Sequence, residues 1–367
     1  MQFSGYSLLN QLARQVCKQF SNSAINEITT LGNGLINDTF LVTTSKEQFV
    51  LQRINSQIFP QPDWVMQNLL LLCQHIRQKK TAEIKLKVPT ILKTNDQKIF
   101  YIDEKNAYWR ALEYIKDSAS KELIQNQKEA EQVGFALAHF HRLFSNASIE
   151  LFHDTLPGFH ITPRYFQYYQ HIKKQYQGTC DSDKIQWCQE FIAEFREKIH
   201  ILEKARQQGL LSDRIIHGDP KLNNFLFDIQ SNKIVSLIDL DTVKPGLVHY
   251  DIADCLRSCC HINNSNTFDL ELCGIILNSY LQEAGVFFTN HDYQFLYPAI
   301  QLIPFELGLR FFTDYLEGNQ YFKVTFPEQN LNRAIAQFYL CESITAQEQE
   351  IRQLIVKGRA VAFSTTN

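Results

Sequence analysis

The sequence predicts an α+β chain of two lobes, a small antiparallel sheet followed by a larger, mainly helical part. Three observations carry that prediction. Runs rich in branched and aromatic residues stand a few residues apart at Ile25–Thr30, Phe40–Thr44 and Phe49–Ile54, the pattern of consecutive strands. Further on, the apolar residues switch to helical spacing. Val133, Leu137, Phe140 and Phe144 form one row, and Cys188, Phe191, Ile192, Phe195, Ile199 and Leu202 a second. The third observation is size: 367 residues with 44% apolar content can bury one large core or two lobes sharing a cleft.

Composition narrows the partners. Thirty-six basic against thirty-nine acidic residues leave a net charge of -3, with no general drive toward nucleic acid or acidic membranes. A small-molecule partner is the expectation, and no obligate protein partner is evident. The start, MQFSGYSLLN, lacks a basic region and a sustained apolar core, and no run of about eighteen apolar residues follows, so a cytoplasmic protein is expected. Nine scattered cysteines without framework spacing read as reduced thiols. Cys255, Cys259, Cys260 and His261 cluster, but Cys255 and Cys259 lie one helical turn apart in an apolar stretch, which favours buried thiols over a metal site.

Taken in order, Leu8, Leu9, Leu12, Val16 and Phe20 predict an amphipathic first helix. The loop from Leu31 to Asp38 joins the first two strands and contains Gly32, Asn33 and Gly34. Glycines let backbone amides approach phosphate oxygens, so these three, with Asn37 and Thr39, are nucleotide-facing candidates, although a hairpin turn would look the same. On the third strand Arg53 is the only cation available for the phosphates. Alternation puts Gln52 on the opposite face, so if Gln52 points inward, Arg53 is a solvated strand residue. Asp63 is expected to cap a helix that carries Trp64, Val65, Leu69, Leu72, Cys73 and Ile76 inward. Where a helix glutamate would pair with the strand cation, the chain has Gln67 and Asn68.

Short strands are expected at Val88–Leu92, Lys98–Ile102 and Ala107–Leu112, and Glu113–Ile115 at the hinge, where backbone groups of Glu113 and Ile115 are placed to read adenine. The expected lobes are therefore residues 1–112 and 113–367. Two long helices follow, with a loop at Pro157–Pro163 between them. His139 and His141 are two apart on a helix and read as packed or exposed histidines. Asp251 and Asp254 are expected to cap a helix or hold the adjacent loop. The rest reads as helical through Arg352, broken at Pro298, Pro304 and Pro327. Glu306, Arg310, Asp314 and Glu317 share one helix face, the spacing of a solvated charged stripe.

The stretch that carries chemistry is IIHGDPKLNNFLFDIQSNKIVSLIDLDTVKPG, residues 215–246. His217, Asp219 and Asn224 have the H-x-D-x-x-x-x-N spacing of a kinase catalytic loop. A hairpin, Phe225–Phe227 with Ile234–Ile238, delivers Asp239 to the place of a kinase's metal aspartate. Asp219 is the candidate base for an attacking hydroxyl, and Asn224 and Asp239 supply the hard oxygens that Mg2+ prefers. Lys221 is placed to offset charge on the transferred phosphoryl group. A polar turn between buried strands is the competing reading, and four chemically matched positions argue against it.

Five segments together carry a family resemblance: GNGLINDTFLV, FVLQRIN, HGDPKLNNFLFD, LIDLDTVKPGLVHYDIADCLRS and ELGLRFFTDYLEGNQYFK. Across about residues 30–350 the chain resembles the aminoglycoside phosphotransferase and choline kinase superfamily, and within it the N-acetylhexosamine 1-kinases. The resemblance implies a protein-kinase-like fold, ATP and Mg2+ as cofactors, and phosphorylation of the anomeric hydroxyl of an N-acetylhexosamine in sugar salvage. It also implies roles: Asp219 catalytic, Asn224 and Asp239 on the metal, Arg310 and Tyr321 on the sugar. Two positions depart from the pattern, Leu35 where some members have histidine and Gln67 in place of glutamate. Two other classes stay open, a phosphotransferase of the same fold acting on another hydroxyl acceptor such as an amino alcohol, an aminoglycoside or another sugar, and a catalytically silent binding protein. The second usually lacks a catalytic or metal residue, and here Asp219, Asn224 and Asp239 are all present.

Overall fold

Strand alternation and helix periodicity sort the side chains of the first compact unit, which comprises Met1–Ala119, Ser148–Pro157 and Leu226–Pro245. The computed structural model describes residues 2–32, 36–176 and 183–365. Its principal sheet runs β1 (Ile25–Thr30), β2 (Asp38–Thr44), β3 (Gln48–Ile54), β6 (Tyr108–Glu113) and β4 (Ile91–Leu92), with β5 (Tyr101–Ile102) also on β6. Every pairing in it is antiparallel. One face carries Phe40, Val42, Phe49, Leu51, Trp109 and Ala111 onto Ala13 and Val16 of helix α1 (Gln2–Val16). The other carries Ile54 toward Val65 and Met66 of α2 (Pro62–Arg77).

Helix α2 starts differently from expectation. Gln61 holds the cap position and Pro62 the first turn, so Asp63 lies inside the helix, where its charge still suits the N-terminal dipole. Asn68, fully buried on α2, donates to the His153 and Val243 carbonyls at 2.9 and 2.8 Å and accepts from the His153 amide at 2.9 Å. These bonds tie two later segments into the first unit, which is thus discontinuous, where the sequence reading makes a single cut after Leu112. The later segment holds the expected hairpin, β9 (Phe225–Asp228) and β10 (Ile234–Leu237), with β7 (Ser118–Ala119) on β9.

The second unit, Ser120–Ala147, Gly158–Phe225 and Gly246–Asn367, is mainly helical. It contains α3 (Gln127–Leu143), α4 (Thr162–Gln175), α5 (Asp183–Phe195), α6 (Ile201–Gln207), α7 (Val248–Cys259), α8 (Leu270–Ala284), α9 (Asn290–Leu316), α10 (Gln329–Ala346) and α11 (Glu348–Thr365), with the short strand β8 (Arg214–Ile216). Helices α3 and α8 meet at Gly134, where a Cβ would stand 2.1 Å from the Ile276 carbonyl oxygen, so no larger residue fits.

Three expectations are corrected here. The second long helix is two, since a 3-10 turn at Arg196–Lys198 separates α5 from α6. Helix α4 is not among the expected elements; it begins at the end of the loop expected at Pro157–Pro163, with Pro163 in its first turn. Pro298 and Pro304 do not break α9, which runs 27 residues through both. Each proline costs about 3 kcal/mol in a helix interior. Ala299 to Glu306 are buried without interruption, so packing around the whole circumference outweighs that cost. The cysteines behave as expected: all eight described are free, and seven are buried.

Candidate active site

In the second unit the loop from His217 to Asn224, the first part of the candidate catalytic stretch, is held in a clamp. Strand β8 leads to His217, and the backbone turns at Gly218, whose φ of 87° is left-handed. Asp251, on α7, accepts from the amides of His217 and Gly218 at 2.6 and 2.8 Å and lies 2.9 Å from His141 Nε2. Burial alone would raise this carboxyl, but the hydrogen bond and charge of His141 hold it below the usual aspartate value. Asp251 therefore holds the loop, one of the two roles expected of it. It does not cap the helix, where Leu247 has that place.

Asp219 follows, 28% exposed, with its Oδ2 at 2.6 Å from Lys221 Nζ. Asn224 Nδ2 donates to the Asp219 carbonyl at 2.7 Å, an orientation that leaves its Oδ1 with no hydrogen bond among the described residues. An amide oxygen held in this way suits a hard cation, so the donor set fits Mg2+ on this side. Asp239 belongs to the first unit, where it too fits by donor type. Its φ of 63° is left-handed, a conformation that costs a non-glycine residue about 1 kcal/mol or more and persists only when its surroundings impose it. Among the described residues no cluster of three or more His, Cys, Asp or Glu forms a metal site.

Behind the catalytic loop stands His160, buried and also at left-handed φ. Its Nε2 lies 2.8 Å from the Gly218 carbonyl and its Nδ1 3.0 Å from Glu306 Oε1. The Gly218 carbonyl can only accept, so Nε2 carries a proton, while Nδ1 faces the Glu306 carboxyl. Burial pushes this group down, yet the Glu306 carboxylate holds it above the ordinary histidine value. Glu306 also takes the Thr162 hydroxyl at 2.7 Å. It is therefore a strut between α9 and the catalytic loop, and the expected solvated stripe does not exist.

One turn further along α9, Arg310 stands among four rings. Its guanidinium carbon is 5.2 Å from the Phe159 ring centre, 5.0 Å from Tyr165, 5.8 Å from Tyr321 and 5.4 Å from Phe322. No hydrogen bond or ion pair engages it among the described residues. Asp314 is occupied elsewhere: it accepts from the Tyr321 and Phe322 amides at 2.7 and 3.0 Å and from Asn330 at 2.8 Å, which fixes the loop that brings both rings to Arg310. Gly318, at φ 89°, makes the turn that begins that loop. Glu317 takes the Tyr168 hydroxyl.

In the first unit, Asn37, Thr39 and Gln52 lie together with Arg110, which the sequence reading missed. Gln52 joins Thr39 at 3.0 Å and Arg110 at 2.9 Å, and Arg110 forms a 2.5 Å ion pair with Asp241. Asn37 donates to the same carboxylate at 2.7 Å. Arg53 is not part of this group; its guanidinium pairs with Asp38 at 2.6 Å and lies over Trp109, on the opposite face. Glu113 and Ile115 border an open hollow of about 370 Å³. The Glu113 carboxylate takes the Thr90 hydroxyl, and the Ile115 carbonyl takes Ser118 Oγ. Gly32 has φ 70°, while Asn33, Gly34 and the departure at Leu35 lie outside the described residues. Gln67 reaches His153 at 2.8 Å.

Comparison with known proteins bears on the fold and the family. Solved kinases share the fold: a microcompartment-associated aminopropanol kinase (TM-score 0.63, 16% identity, covering 93% of this chain and 98% of that one), and choline kinase from Cryptosporidium parvum Iowa II (0.59, 16%, 98% and 99%). Another is amicoumacin kinase hAmiN in complex with AMP-PNP, Ca2+ and Ami (0.60, 13%, 92% and 93%). The protein has an α+β, protein-kinase-like fold. Residues 27–282 match the phosphotransferase enzyme family APH, well over half of the chain, and the protein belongs to that family.

Proposed function

We propose that the protein is an ATP- and Mg2+-dependent kinase that phosphorylates the anomeric hydroxyl of an N-acetylhexosamine. The observation that carries the choice of acceptor is Arg310, a guanidinium with four aromatic rings and no carboxylate partner. An amine acceptor needs a free carboxylate or an empty aromatic cage. Here the rings already surround a cation, and Glu306, Asp314 and Glu317 are each hydrogen-bonded within the protein. Such a site repels an ammonium group and suits a neutral sugar, whose carbonyl or hydroxyl oxygens meet the guanidinium while its C–H face packs on Tyr321. His160 links that site to the catalytic loop through α9 and the Gly218 carbonyl.

In this reading Asp219 Oδ1 takes the proton of the attacking hydroxyl, since Oδ2 already faces Lys221. The anomeric oxygen bonds to the γ-phosphorus, the bond to the ADP oxygen breaks, and ADP leaves. An anomeric hydroxyl is more acidic than other sugar hydroxyls, so an ordinary aspartate is an adequate base. Bound Mg2+ would supply charge neutralisation on the phosphates, with Asn224 and Asp239 as its protein ligands. Lys221 offsets charge on the phosphoryl group in transit.

A coupled ADP-release assay tests the proposal. N-acetylglucosamine or N-acetylgalactosamine should release ADP, whereas their methyl glycosides, aminopropanol and choline should not exceed the rate without acceptor. Equal rates with the methyl glycoside would move transfer to another hydroxyl, and turnover of only the amines would overturn the sugar reading.

A further inference from the structure

We infer that Arg110 and Asp241 are the positioning pair of the nucleotide half of the site, one buried ion pair that holds the turn carrying Asp239 in place and does not itself touch the phosphates. The inference rests on the reading of Asp239 as a metal ligand. Four pieces of the first unit meet at Asp241. Its Oδ1 takes Arg110 Nη2 at 2.5 Å, and each partner's side chain is only 2% exposed. Its Oδ2 takes Asn37 Nδ2 at 2.7 Å, and Asn37 Oδ1 in turn takes the Asn55 amide at 3.0 Å. Its carbonyl takes the Thr155 hydroxyl at 2.6 Å. Arg110 is itself aimed by Gln52 Oε1 at 2.9 Å. The sheet, the end of the glycine-bearing loop and the segment around Thr155 are thereby locked to the turn after Asp239 through one residue, Asp241.

The position of that carboxylate gives the pair its role. Asp241 is two residues past Asp239, whose left-handed backbone needs an external constraint, and Asp241 supplies one from both its side chain and its carbonyl. A fully buried ion pair is a poor device for stability alone, because well-packed apolar residues serve as well or better. The cation of this pair stands on β6, one strand over from Arg53 on β3, and its anion in the turn after β10, not on α2.

The test compares nucleotide affinity with and without the metal, measured by calorimetry on the full chain. The double variant Arg110→Gln with Asp241→Asn keeps the shapes and removes both charges, so no lone buried charge remains. It should retain the circular-dichroism spectrum and cooperative melting of the parent, while the gain in ADP affinity on adding Mg2+ over EDTA shrinks at least tenfold. An unchanged gain with a lowered melting temperature would make the pair a structural buttress only and overturn the inference. Should the double variant fail to fold, Arg110→Lys, which keeps the charge and loses the aim from Gln52, carries the test: a threefold or larger loss supports the inference, and no loss overturns it. Asp239→Ala separates the underlying reading. If that variant keeps the full Mg2+ gain, Asp239 is not a metal ligand and the inference falls with it. If Asp239→Ala loses the gain and the double variant keeps it, the metal reading stands and only the positioning role is lost.

Discussion

Two arginines, one in each unit, show how differently the same side chain is used. Arg110 is sealed from solvent, with an aspartate at 2.5 Å and a glutamine amide oxygen at 2.9 Å. Arg310 is half-buried against four rings and has no carboxylate partner. A saturated guanidinium positions the protein around it. An unsaturated one, ringed by aromatic faces and with its hydrogen-bond donors unused, is available to something that is not protein. In the proposed reading the contrast separates a nucleotide half, governed by internal pairing, from an acceptor half left open for a ligand.

The comparison breaks first at Asp219. Asp219→Asn should lower turnover on the order of a hundred- to ten-thousand-fold, the usual cost of losing a general base. Mg-ATP affinity should stay close to that of the parent, since the acceptor half alone is touched. Turnover within threefold of the parent, measured by ADP release, would remove Asp219 from catalysis.

Arg310→Ala sharpens the contrast from the open side. A hydrogen bond to a charged group contributes about 1.5–3 kcal/mol, so the acceptor KM should rise roughly ten- to a hundredfold with the ATP KM unchanged. A lower melting temperature with unaltered kinetics would show that Arg310 serves the fold.

His160 gives a pH signature of a few-fold. Its folded pKa is raised, so the stabilisation it provides is complete below the ordinary histidine value of about 6.5 and is lost as pH rises through the higher folded value. Both melting temperature and acceptor affinity should therefore decline on the alkaline side, and His160→Gln should flatten that limb. A variant that retains the parent's alkaline decline would place the titration elsewhere.

The smallest effect is expected at Arg53. Its partly exposed pair with Asp38 is worth at most about 1 kcal/mol, so Arg53→Gln should change Mg-ATP affinity by less than roughly fivefold. A loss of tenfold or more would return a phosphate role to Arg53 and weaken the case for Arg110.

Much of the fold was legible because the deciding forces are local. The strand runs at 25–54 and the first helix follow from alternation and helical spacing, which need no knowledge of the partner element. The H-x-D-x-x-x-x-N spacing that singled out Asp219 and Asn224 as candidates is equally local, complete within the eight residues from His217 to Asn224. The breaks predicted at Pro298 and Pro304 failed because the compensation comes from helices packed around α9. Helix α4 was passed over although Tyr165, Tyr169 and Ile172 keep helical spacing, a signal that was there to read.

Side-chain pairing across long sequence gaps was decided by the tertiary structure alone. Glu306, Arg310 and Asp314 have the spacing of a salt-bridged stripe, and only packing shows that each acid turns away, to His160 and to the loop at Tyr321. The choice between Gln52 and Arg53 was likewise undetermined until the sheet placed Arg110 beside one and Asp38 beside the other. Arg110 and Asp241 lie 131 residues apart, and nothing in either neighbourhood names its partner. The physical reason is that local sequence sets backbone preference and the apolar face. Which charges meet is settled only when that apolar burial brings distant segments together and leaves each buried charge to find the one partner within reach.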